Sequence, residues 1–124
     1  MLQLILHLTG DYVTQSDWMA INKTKSLPVA IIHATVYSLP FFLLGSFPAV
    51  IAIWASHAVI DRYRLARYVV FAKNFLGKPW PNWSDCIATG YPSERPAWMA
   101  VWLMIIADNT LHLAINYSSL RWIR

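Results

Sequence analysis

Charge is scarce in this chain. Ten Lys or Arg and six Asp or Glu occur among 124 residues, so charged side chains make up only 13% of the sequence, where an ordinary soluble domain carries about 25%. That shortage argues against a water-wetted shell over the whole surface, and the 57% hydrophobic content points to lipid as the surrounding medium. Cysteine is scarcer still. The lone Cys86 permits no intrachain disulfide and satisfies none of the multi-cysteine zinc patterns. A removable signal peptide is not expected either, because no basic segment precedes the first apolar run and no small-residue cleavage site follows it, so helix 1 is expected to be retained. The formal charge of +4 does not come from a basic stripe with interleaved polar contacts, and nucleic acid is not an expected partner.

Present instead are seven Trp and six Tyr, rings that settle where hydrocarbon meets water, and long apolar runs. Four helices are expected, at about 2–22, 27–44, 49–76 and 97–122, as one transmembrane domain. "NKTKS" ends the first, with Ser26 as an N-cap and Pro28 in the first turn of the second. The second, at about 1.5 Å per residue, comes close to the roughly 30 Å hydrocarbon thickness even with Pro40 kinking it. "GSFP" turns into the third. Residues 77–96 hold two of the four glycines and four of the seven prolines and read as a loop. The fold class is therefore all-α, an integral membrane four-helix bundle.

Eight of the ten basic residues lie in or beside the connections 1–2 and 3–4, and connection 2–3 carries none. The positive-inside rule then places connections 1–2 and 3–4 in the cytoplasm, although Arg121 and Arg124 at the C-terminus run against it.

Within this oily frame the histidines are not scattered. Three of the four have an aspartate four residues away, His7 with Asp11, His57 with Asp61 and His112 with Asp108, whereas random placement gives about 0.3 such neighbours. The spacing puts both members of a pair on one helical face. The fourth, His33, has Tyr37 at the same interval. Counted from the cytoplasmic ends, Asp11, Tyr37, Asp61 and Asp108 fall at one depth, about 18 Å in, with the paired histidines one turn further out and His33 on the cytoplasmic side.

Ionisable groups inside a spanning bundle face its interior and are paired or functional. Several carboxylates at one level repel one another unless protonated, paired with Arg or neutralised by a cation. Imidazole with carboxylate is the ligand mixture of Zn, Mn or Fe, so His7, Asp11, His33, His57, Asp61, Asp108 and His112 are the candidate metal ligands. Asp11, Asp61 and Asp108 are also the candidate catalytic carboxylates, one of them or a neutral histidine acting as general base toward water.

Plainer readings stand beside this one: each pair satisfies two buried polar groups within its own helix, or the groups line a proton or ion path. Gln15 and Asn116, one turn beyond a pair, read as outer hydrogen-bonding partners or simple helix–helix contacts, and Tyr37 as an interhelical hydrogen-bonder. Arg62 and Arg64 read as interfacial anchors, as phosphate-binding groups, or as the charge that neutralises Asp61. Gly10 permits close approach of a neighbouring helix, and Trp80, Trp83, Trp98 and Trp102 form an interfacial belt.

Taken together, "HLTGDYVTQSDWMAINKTKS", "HATVY", "HAVIDRYRLARY" and "ADNTLHLAINY" resemble a family of uncharacterised small membrane proteins of bacteria and tailed phages, a domain of unknown function patterned as H-x-x-G-D-[FY]-x-x-Q, H-x-x-x-Y, H-x-x-x-D and D-x-x-x-H. That family is distantly similar to membrane-bound metal-dependent hydrolases. The resemblance implies a site built from His7, Gly10, Asp11, Gln15, His33, Tyr37, His57, Asp61, Asp108 and His112 in a bacterial inner membrane or phage-encoded protein.

The expectation is thus a small membrane protein holding a divalent metal in its bundle near the cytoplasmic leaflet, where it meets a lipid-linked phosphate or ester. It rests in the lipid bilayer, with a homo-oligomer allowed. The rivals are a proton or metal-ion path and a non-catalytic phage or bacterial accessory protein whose pairs stitch helices together.

Overall fold

A computed structural model describes all 124 residues, and every regular element in it is helical. Seven α-helices follow in order: α1 Leu2–Leu8, α2 Asp17–Asn22, α3 Leu27–Ser38, α4 Phe47–Tyr63, α5 Ala66–Lys73, α6 Trp83–Cys86 and α7 Ala97–Trp122. The chain divides into two compact units, Met1–Tyr63 with His112–Arg124, and Arg64–Leu111. Helix α7 contributes to both.

Three of the four expected helices are interrupted, and each break has a local cause. The first widens into a π turn over Thr9–Val13, closed by Thr14 N–H donating to the Thr9 carbonyl five residues back at 2.9 Å. It then restarts as α2, whose N-cap Ser16 accepts from Met19 N–H at 3.2 Å. In the second, Pro40 has no N–H to give and disfavours α geometry at Leu39. Helix α3 accordingly stops at Ser38 and continues as a 3-10 turn, Leu39–Leu43. The third stops at Tyr63 because Arg64 adopts φ 52, a left-handed conformation no α-helix can absorb. The span 77–96 is not wholly a loop, since it contains the single-turn α6.

These breaks bear directly on membrane crossing. One helix, the 26-residue α7, is long and apolar enough to cross a membrane, and Leu27–Leu43 is a shorter apolar stretch. Four spanning helices, the expectation from hydropathy, are reduced to one by this measure because the interruptions divide the others.

In the first unit the apolar core is small: Tyr37, Phe41, Val50 and Ile53 are buried together, with Leu6 and Leu120 packed against them. Ala30, Ala34 and Ala49 are fully buried, and such small side chains let α3 and α4 lie close. Leu120 fits against Gly45, where a Cβ would come within 2.5 Å of it. Much of the remaining interior is polar: His7, Asp11, His33, His57, Asp61, His112, Asn116 and Ser119 are all buried.

The second unit is held by α5 gripping the segment after α6. Arg67 donates to the Ile87 carbonyl at 3.0 Å and Asn74 to that of Gly90 at 2.9 Å, while Arg64 donates to Ala88 at 2.7 Å. Gly90, at φ +83, presses on the backbone of Arg67 and Phe71, leaving no room for a Cβ. Tyr68 stacks on Trp83 at 4.9 Å, and the Arg67 guanidinium lies over both rings.

Candidate metal centre

Four separate stretches deliver side chains to one buried point in the first unit. The π turn carries Asp11, α3 carries His33 and, one turn on, Tyr37, and α4 carries His57 and Asp61. Part of α7 brings His112 and Asn116. Gly10 supplies the clearance: a Cβ there would overlap the Tyr37 ring, so the missing side chain is what lets α3 come down on the π turn. The same ring stacks face to face on His57, at 3.6 Å and 14°, and fixes the plane of that imidazole.

Four ligand-type atoms converge. His33 Nε2 lies 3.3 Å from Asp11 Oδ1 and 3.2 Å from Asp61 Oδ2. His57 Nε2 lies 3.3 Å from each of the same two oxygens. The two Nε2 atoms are 3.0 Å apart. Five contacts of 3.0–3.3 Å are thus edges of one polyhedron. A tetrahedron with corners about 2.0 Å from its centre, the ligand distance of zinc with nitrogen and oxygen donors, has edges of about 3.3 Å. The donors and their spacing therefore fit a divalent ion, and this buried His/Asp group could hold one.

Around these four the next groups are arranged to orient them. The Nδ1 atoms of His57 and His112 lie 3.2 Å apart, within hydrogen-bond distance, and His112 Nε2 lies 3.4 Å from Asp61 Oδ1. Asn116 donates to the Tyr37 hydroxyl at 2.6 Å, and that hydroxyl is hydrogen-bonded to His7 Nδ1 at 2.8 Å. His7 stands 3.5 Å from Asp11 Oδ2. Such outer partners fix ring orientation and carboxylate basicity at metal sites. His33 Nδ1, on the far side of its ring, is buried with no hydrogen-bond partner.

Every histidine of the chain is fully or almost fully buried here, but the pairing is not the one that intrahelical spacing suggests. Asp11 lies nearer to His33 and His57, on other helices, than to His7 in its own. His33, expected on the edge of the cluster, belongs to the inner four, whereas His7 and His112 lie just outside them. Asp108 is half-buried on α7, one turn before His112. Gln15 follows the π turn with its amide oxygen buried and unpartnered. Neither arginine neutralises Asp61: Arg62 donates to the Thr24 carbonyl at 2.8 Å and Arg64 to that of Ala88.

The charge beside Asp61 belongs instead to Lys23, which sequence reasoning used only as a marker of topology. Its ammonium lies 2.7 Å from Asp61 Oδ2 and 3.4 Å from His33 Nε2. The signal was modest, a lysine at the C-cap of α2 in "NKTKS", facing a chain with few acids.

No curated protein and no solved structure matches the chain. Residues 1–115 match a family model described as protein of unknown function, DUF3307, and this stretch includes every residue of the inner four together with His7, Lys23, Tyr37 and His112. The chain belongs to the DUF3307 family.

Proposed function

We propose that the chain is a membrane-embedded metalloprotein that binds one divalent ion of the zinc, manganese or iron class through Asp11, His33, His57 and Asp61, and uses it to hydrolyse a lipid-linked or membrane-proximal phosphate or ester. The observation that carries the reading is the set of five short edges, of the six possible, among two imidazole nitrogens and two carboxylate oxygens. Structural zinc sites are built mainly from Cys and His, whereas carboxylates enter sites that do chemistry or take harder ions. The ion would supply Lewis acidity. The chain's own groups would do the rest: His112 and His7 hold and exchange protons next to the ligands, and Lys23 tempers the charge of Asp61.

Support for a bilayer setting comes from apolar side chains left outside while a polar cluster is buried. Leu4, Ile5, Leu8, Ile31, Ile32, Ile51, Val59, Val101 and Ile106 are exposed while all four histidines, Asp11 and Asp61 are buried, the arrangement expected of a polar centre inside a bundle in lipid. Only 11% of the most apolar window of α7 is buried. The interrupted helices would then cross as broken segments around a polar centre, which a bilayer tolerates when the irregular backbone faces protein. The basic connections favour the cytoplasmic face of a bacterial inner membrane for residues 23–25 and 62–95.

The experiment is elemental analysis of the detergent-purified protein, with Asp61→Asn and His57→Gln beside wild type. One equivalent of metal in wild type and little in the variants is expected. Metal-free wild type under replete conditions would remove the proposal.

A second reading, an ion path, draws on Lys23. An ammonium already seated on Asp61 is a tethered cation that can trade places with a mobile one. Metal flux into liposomes without hydrolysis of any added lipid would favour it.

A further inference from the structure

Outside the His/Asp centre, the second unit concentrates positive charge in a way the metal reading leaves unused. A cavity of about 300 Å³ opens where the end of α5 faces the segment before α7, lined by Lys73, Asn74, Lys78, Tyr91, Arg95 and Met99 among others. Its lining holds three cations and no carboxylate. No carboxylate lies within ion-pair distance of the three cations, although Arg95 also borders the neighbouring cleft, where Asp85 and Glu94 temper its charge. Lys73 and Lys78 share no cavity with a carboxylate, and like charges around one concavity raise the local concentration of an anion.

The cations are also held in place. The Lys73 ammonium lies 5.1 Å from the centre of the Tyr91 ring and that of Lys78 lies 5.3 Å from the Trp80 ring. Asn74 is fixed by its hydrogen bond to the Gly90 carbonyl. Ring contacts of this kind restrain long side chains without neutralising them. Trp80 and Trp98, 64% and 72% exposed, stand in the same unit as amphipathic rings suited to a bilayer's headgroup zone.

We propose that this cavity binds a phosphate group, carried by an anionic lipid headgroup or free in solution, with Lys73, Lys78 and Arg95 as its cationic ligands. Arg95 offers a planar fork for two phosphate oxygens and the lysines act as point charges. The volume admits a phosphate with part of a glycerol moiety, at the lower end of small-molecule pockets. The site shares no residue with the His/Asp centre, so it stands or falls independently of the metal.

The test uses the full chain in detergent, titrated separately with phosphatidylglycerol, phosphatidylcholine and inorganic phosphate and read by native mass spectrometry. The triple variant K73Q/K78Q/R95Q is compared with wild type and with Lys25→Gln, an exposed cation outside the cavity. Each lost cation should weaken binding about fivefold, so the triple variant about a hundredfold, with Lys25→Gln unchanged. Loss of phosphatidylglycerol alone identifies a lipid headgroup as the source, and loss of inorganic phosphate identifies soluble phosphate. Binding of both probes by the triple variant at wild-type strength, or by neither protein, overturns the proposal. All three side chains are exposed, so the variant is expected to fold, and a wild-type circular dichroism spectrum verifies it.

Discussion

Asp61→Asn separates a metal ligand from a structural counter-ion, because the substitution keeps shape and removes charge. In the structure Asp61 Oδ2 contacts His33, His57 and Lys23, while Oδ1 faces His112. Loss of an outer hydrogen-bond partner costs metal sites about 10- to 100-fold in affinity, so loss of a direct ligand should cost at least about 100-fold. A metal present at about 1,000 times its Kd stabilises the fold by about 4 kcal/mol, which falls to about 1.4 kcal/mol when Kd rises 100-fold. At about 4 °C per kcal/mol for a chain of this size, wild type should melt about 15 °C higher with metal than without, and Asp61→Asn only about 5 °C higher. Lys23→Met supplies the contrast. It removes a competing cation from the same oxygen, so the metal-dependent rise in Tm should be kept or enlarged. The assay is thermal unfolding in detergent with and without metal. An equal rise in wild type and Asp61→Asn, or a rise lost in Lys23→Met as fully as in Asp61→Asn, would refute the assignment of Asp61 as a ligand.

Other substitutions probe the frame. Gly10→Ala puts a methyl group into the Tyr37 ring and should cost about 1–3 kcal/mol by overpacking, read as a lowered Tm together with weaker metal retention. Tyr37→Phe deprives Asn116 and His7 of the hydroxyl between them and should cost about 1–3 kcal/mol for each buried group affected. Chelator competition would show whether metal affinity falls with it, as the stack on His57 is retained. At Arg64, both Gly and Ala remove the bond to the Ala88 carbonyl, but only Ala keeps a Cβ at φ 52. Arg64→Gly should therefore be more stable than Arg64→Ala by about 1 kcal/mol in denaturant melts.

Much of the centre was legible because the chain is so poor in polar groups. With only four histidines in an apolar sequence, every one had to be buried for a reason, and all four are found in one cluster. What spacing could not convey is which groups face each other across helices. A residue count gives the angle between His7 and Asp11 along one helix, but not the approach of α3 that sets His33 against Asp11 at 3.3 Å. Helix continuity was overread for the same reason. Hydropathy registers apolar length and is blind to a left-handed Arg64 or to a π turn, since neither alters composition. Lys23 was missed because it follows a helix end, where a lysine ordinarily faces solvent.

The π turn at Thr9–Val13 gives helix 1 a property that a uniform α-helix would lack. Its wide turn holds an extra residue, which shifts the angular phase of everything before it relative to everything after. Deleting one residue within the turn would let the segment close as an ordinary α-helix while rotating the His7 side of the chain by about 100° relative to the residues that close the turn. His7 and Asp11 are in that sense synchronised by a one-residue slack in the backbone. Length variation at this point of the chain should thus be far less tolerated than substitution, whatever residues flank it.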